Sequence, residues 1–268
     1  MKFISSASSA TWVTFTCSAS NWATNMAKST VIEKGWEDPE LKGVCHMRKW
    51  RNNKGKAIHV LSIDFDYWYL GDNDPDAHCG FCDCQVTDEW DPGLERCRPT
   101  PLTKGKRPVR TINYPMIFRR IAEGTPIQVT ECHAAITGPL MKLREDNPDA
   151  HICVWNIDEH EDVWGYYSVP ERPHCGGWVD YSGEKGWLDE YWWVTDRQHL
   201  WQMPASPDMV FVCKSSPYTD VSGDRPLITF IRNLEKASGQ DARVFGHASR
   251  PIQEALTERR AVCHRAHM

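Results

Sequence analysis

The chain has 268 residues, 41% of them apolar and 25% charged, which is the composition of a folded globular domain and excludes a fibre, a coiled coil or a disordered tail. A formal charge of −5 provides no general basic face for nucleic acid, so no nucleic-acid partner is expected. No stretch of 18 apolar residues predicts a membrane span.

The opening MKFISSASSATWVTF lacks the continuous apolar run of a signal peptide, which predicts a cytoplasmic protein with no membrane partner. Eleven cysteines, an odd count in a long chain, argue for reduced core thiols over a disulfide framework.

In chain order, residues 1–56 show no clean periodicity and read as an N-terminal extension with no assigned role. Their basic patch, Arg48, Lys49, Arg51, Lys54 and Lys56, reads as a solvated face. Residues 57–64 (AIHVLSID) form a short apolar run ending in acid, the pattern of a buried strand. A loop rich in Pro, Gly, Asp and Cys then covers 71–110, and loops of this length are usually functional or metal-stapled. A helix is predicted over 111–123 despite Pro115, then a strand over 126–131 and a helix over 136–146 ended by Pro148. The next strand is 151–157. Residues 163–207 read as a Trp-rich loop region with a short helix over 188–195. A strand at 208–214, a helix at 226–236, a strand at 242–246 and a closing helix at 251–262 complete the chain. Short apolar strands alternating with helices predict one α/β domain over 1–268 with a largely parallel sheet. Such sheets bind ligands at the carboxyl ends of their strands.

Those ends carry the chemistry. Asp64 and Asp66 form D-x-D after the first strand, His133 follows the second, and Asp158, His160 and Asp162 form D-x-H-x-D after the third. Alternate residues at a strand end point to one side, so each group can aim at a common spot. Four carboxylates and two imidazoles suit manganese(II) or a similar divalent ion better than a thiolate-seeking metal. Two such ions would relieve the repulsion among the acids. Caps and ordinary salt bridges are the alternative role for these side chains.

The same stretches, SIDFDYW (62–68), ECH (131–133) and NIDEHEDVW (156–164), resemble the ligand motifs of the arginase/ureohydrolase superfamily, which includes histone-deacetylase-like enzymes. The D-x-D motif comes first here and last in ordinary arginases, an order that resembles a circular permutation. The strand ends Thr130–His133, Asp158–Asp162, Val212–Tyr218 and Asp64–Tyr67 are also similar to an arginase-like group with V-E-D-H, D-S-H-x-D, V-K-P-Y and D-I-D-L-D-F motifs. In character the chain is closest to bacterial peptide arginases. The resemblance covers about residues 57–220. It departs where Thr130-Glu131-Cys132 replace the glycine pair and Asp before the metal His, and where Trp68-Tyr69 replace the D-P after D-x-D.

The resemblance implies a three-layer arginase-like fold holding two Mn2+ on Asp64, Asp66, His133, Asp158, His160 and Asp162. It implies hydrolysis of arginine, carried in a peptide substrate, to ornithine and urea by a metal-acidified water. An amidohydrolase on the same fold is the second reading, and a non-catalytic zinc-stabilised peptide-binding module the third. His174 lies 12 residues after Asp162 beside glycine, where arginases place a proton-shuttle histidine; an exposed loop histidine is the alternative. Glu131 is the candidate guanidinium partner, with Asp180 and Glu184 as further options, each equally readable as a structural ion pair. Tyr67, Trp68, Tyr69, Trp164, Tyr166, Tyr167, Trp178 and Tyr181 either rim a peptide groove or pack the loops. Finally, Cys79, Cys82, Cys84 and Cys97, spaced C-x2-C-x-C-x12-C beside His78, offer a structural Zn2+ site for the long loop, with free thiols as the alternative.

Overall fold

Strand β3 (Ala57–Asp64) is buried from Val60 to its end, and the chain is built outward from it. The structure, a computed structural model, describes residues 11–15, 45–69, 110–163, 173–204, 206–215, 219, 223–245, 252–253 and 256. The other strands are β1 (Thr11–Phe15), β2 (Cys45–Lys49), β4 (Ile127–Thr130), β5 (His151–Ile157), β6 (Glu190–Val194), β7 (Met209–Cys213) and β8 (Arg243–Val244). They form one eight-stranded sheet in the order β1-β2-β6-β5-β3-β7-β4-β8. From β6 to β8 every pairing is parallel, and β2 and β1 extend the β6 edge antiparallel. The predicted α/β class and largely parallel sheet are present.

The helices are α1 (Asp66–Tyr69), α2 (Tyr114–Phe118), α3 (Thr137–Asp146), α4 (Trp178–Lys185), α5 (Arg197–Gln202) and α6 (Asp224–Ser238). They cover both faces of the sheet, as a buried parallel sheet requires. On one face Leu61, Ile63, Val210 and Val212 pack with Ile117, Leu200 and the α6 residues Leu227, Phe230, Ile231 and Leu234. That α6 spacing is the apolar stripe of an amphipathic helix. On the other face Ile58, Val60, Ile152, Val154 and Phe211 pack with Ile136 and Leu140 of the α3 segment and Trp178 and Val179 of α4. Three layers result.

Several expectations are corrected. Residues 190–194 are strand β6, not part of a helix over 188–195. Between β5 and β2, this EYWWV segment gains ladder partners on both sides, and β-branched and aromatic side chains suit that position. Helix α2 is five residues long rather than thirteen, and Arg119 and Arg120 turn the chain out of it. Within the supposed extension, β1 and β2 join the main sheet. Arg48 on β2 is not solvated but buried, 4% exposed, and forms an ion pair with Asp180 on α4. Most of the predicted closing helix and all of the 71–110 loop except Arg110 lie outside the described residues, as do Cys79, Cys82, Cys84 and Cys97. Cys132, Cys153, Cys175 and Cys213 are buried thiols. Among the described residues no helix is long and apolar enough to cross a membrane.

Candidate metal centre

Strand order brings the predicted ligands together. Asp64 ends β3 and Asp66 opens α1; Asp158 follows β5, the direct neighbour of β3. His133 follows β4, which is one strand further on the other side, beyond β7. All six predicted residues converge at these carboxyl ends. They fall into two lobes that share Asp158. Candidate ligand atoms cluster as Asp64, His133 and Asp158, and as Asp66, Asp158 and His160.

In the first lobe His133 Nδ1 lies 3.1 Å from Asp64 Oδ2, 3.1 Å from Asp158 Oδ2 and 2.9 Å from Asp162 Oδ2. A six-coordinate divalent ion with ligand bonds of about 2.1 Å sets adjacent ligands about 3.0 Å apart. The spacing therefore matches a metal shell. His133 Nδ1 is fully buried and has no well-aligned hydrogen bond to any of the three oxygens, as a nitrogen reserved for a metal requires. In the second lobe His160 Nδ1 lies 2.8 Å from Asp66 Oδ2 and 3.7 Å from Asp158 Oδ1. Both Asp66 oxygens are buried without a hydrogen bond. The residues present fit divalent ions, and oxygen-rich lobes of this kind suit hard to borderline metals.

Outer residues hold the ligands. Ser62 Oγ is 2.7 Å from His133 Nε2, which leaves Nδ1 to face the carboxylates. Asn156 Nδ2 donates to Asp158 Oδ2 at 3.0 Å, and the His160 backbone N–H donates to Asp158 Oδ1 at 2.7 Å. Trp178 Nε1 donates to Asp162 Oδ2 at 2.6 Å, and Ser215 Oγ donates to Asp64 Oδ2. Among the described residues the non-glycine positions with left-handed backbone are Asp162 (φ 56°) and Ser215 (φ 50°). Both touch the site, where such conformations persist only under surrounding constraint.

The charges are strongly coupled. Burial and the neighbouring carboxylates raise Asp64 and, more strongly, Asp66. Burial and Asp158 bring Asp162 up to about 7. Burial would likewise raise Asp158, but His133 and His160 outweigh it and hold that carboxyl below the ordinary range. Burial opposes protonation of the two histidines, yet the facing carboxylates hold both well above the usual imidazole value. A cluster that retains protons this firmly is one in which cations can take their place.

The remaining candidates separate. His174 is half-buried four residues before Trp178; its ring packs against Gly177, and burial lowers its pKa. Glu131 is 2% exposed at the carboxyl end of β4. Asp180 forms a buried ion pair with Arg48, the structural role given as its alternative. Glu184 is exposed on α4. Of the aromatic residues, Tyr67, Trp178 and Tyr181 are buried and Trp68 and Tyr69 pack against the core, while Trp164, Tyr166 and Tyr167 lie outside the described residues.

Sequence reasoning missed Ser62, Asn156 and Ser215, and singled out Trp178 as a groove or packing residue, not as the partner of Asp162. Period two was the available signal for the first two, since each lies two residues before a strand-end ligand and points the same way. Compared with family models, curated proteins and solved structures, the chain matches none of them.

Proposed function

We propose that this chain is a binuclear manganese-dependent hydrolase of the arginase type, converting arginine held in a peptide to ornithine and urea. The observation that carries the reading is the shared carboxylate of Asp158 between a His133 lobe and a His160 lobe. The D-x-D, His and D-x-H-x-D motifs supply these ligands at neighbouring strand ends, and their resemblance to the ureohydrolase set supplies the reaction class. Divalent ions held by Asp64, Asp66, His133, Asp158, His160 and Asp162 would supply Lewis acidity and lower the pKa of a water.

The protein's own groups do the rest. Ser62 holds the His133 ring through Nε2, while Asn156, Trp178 and Ser215 hold three carboxylates in place. His174, half-buried beside Gly177 with its pKa lowered by burial, is the candidate proton carrier for the departing amine. The peptide form of the substrate rests on the resemblance to the peptide arginases; Arg48 and Lys214 are buried and paired with Asp180 and Asp224.

The test is metal analysis followed by urea release on free arginine and on arginine-containing peptides. Two manganese ions per chain, urea release and a higher kcat/KM on the peptide are expected. One zinc with no manganese, or two manganese ions with no urea, overturns the reading. A tenfold preference for free arginine, about 1.4 kcal/mol at the transition state, removes the peptide part alone.

A further inference from the structure

The guanidinium of Arg110 lies against two residues joined directly to candidate metal ligands. Its Nη2 is 2.5 Å from Glu159 Oε2, and its carbon sits 4.8 Å from the centroid of the Tyr67 ring. Tyr67 follows Asp66 in the chain, and Glu159 stands between Asp158 and His160. A carboxylate and an aromatic face together are the two elements that recognise a planar cation.

Access singles out this carboxylate. Glu131 is nearly sealed and Asp180 is neutralised by Arg48. Glu159 keeps 20% of its side chain exposed and Arg110 keeps 21%, so the pair opens to solvent beside the centre. Tyr67 is anchored independently, donating its hydroxyl to the Thr195 carbonyl at 2.8 Å. The ring face therefore stays in place if Arg110 leaves.

We propose that Glu159 and Tyr67 form a guanidinium-binding station at the lip of the metal centre, and that Arg110 fills it when no substrate is bound. The arginine side chain of the substrate takes the station by displacing Arg110. This deepens the arginine-directed reading above and rests on it for the substrate class. An internal competitor lowers apparent affinity by the fraction of time the station is free, so the protein trades affinity for a site that is never an uncompensated carboxylate.

The experiment titrates N-acetyl-argininamide into the full chain by calorimetry, with and without manganese, using the neutral citrulline analogue as control. R110A is expected to bind the arginine probe at least fivefold tighter and E159Q at least tenfold weaker, with the citrulline analogue unaffected by either change. R110Q repeats the first arm if R110A loses thermal stability. Arg110 variants that bind no tighter, or an E159Q protein that binds like the wild type, overturn the station. Urea release that is indifferent to both substitutions also overturns it while leaving the hydrolase reading intact. The expected binding pattern without urea release supports the station and removes the hydrolase.

Discussion

Asp158 faces both histidines of the centre, with one oxygen 3.1 Å from His133 Nδ1 and the other 3.7 Å from His160 Nδ1. Asp66 approaches His160 only. The two acids therefore differ in how much of the centre depends on them. D158A is expected to lose both metal ions and D66N one of two, measured as metal per chain after dialysis. Equal loss in the two variants would contradict the two-lobe arrangement.

The protonation of the cluster makes a prediction about pH. Asp64, Asp66, Asp162, His133 and His160 all have raised values in the folded protein. A raised group contributes stability below its unfolded value, near pH 4 for an acid and 6.5 for histidine, and loses it as pH rises through the folded value. Asp158 is depressed, so its contribution changes only below about pH 4. The metal-free protein should therefore lose Tm between pH 5 and pH 8. The Tm increase on adding manganese should be larger at pH 8, because metal ions replace protons. A metal-free Tm that climbs across this range is the contrary result.

The outer residues should matter almost as much as the ligands they hold. S62A removes the hydroxyl that meets His133 Nε2 at 2.7 Å, and W178F removes the indole N–H that meets Asp162 at 2.6 Å. Each is expected to weaken metal affinity about 10- to 100-fold while leaving the far-ultraviolet dichroism unchanged. Unchanged affinity in both variants would assign these contacts to packing alone.

Arg48 and Asp180 tie β2 to α4, the helix whose first residue holds Asp162. R48A leaves a buried carboxylate unneutralised and should cost about 3–5 kcal/mol in denaturant unfolding. Replacing both partners with apolar residues, R48M with D180L, should cost much less. A single variant within about 1 kcal/mol of wild type would show the pair to be dispensable.

The parts of this molecule that were legible in the sequence share a local cause. Residues 57–64, 151–157 and 208–214 are apolar runs long enough to mark buried parallel strands, and the acids and histidines after them stand at motif spacing. What was illegible depends on partners far along the chain. Cys45–Lys49 alternates no apolar face, and its strand state comes from pairing with β6. Arg48 looked solvated because Asp180, its neutralising acid, is 132 residues away. Glu190–Val194 looked helical until β2 and β5 flanked it. Trp178 and Ser215 reach the site from a helix start and a left-handed turn, neither of which strand periodicity can reveal.

The seating of β2 against β6 has a consequence for biogenesis. During synthesis Cys45–Lys49 emerges well before β6, its partner on one side, which follows more than 140 residues later. Until then β2 can pair with β1 on one side, but its other edge stays open to pairing with other chains. Its late docking makes the N-terminal edge a high-separation closure, the kind of contact that slows folding. In a growing polypeptide, the strand carrying Arg48 waits for the 132 residues that separate it from Asp180 before its charge can be buried.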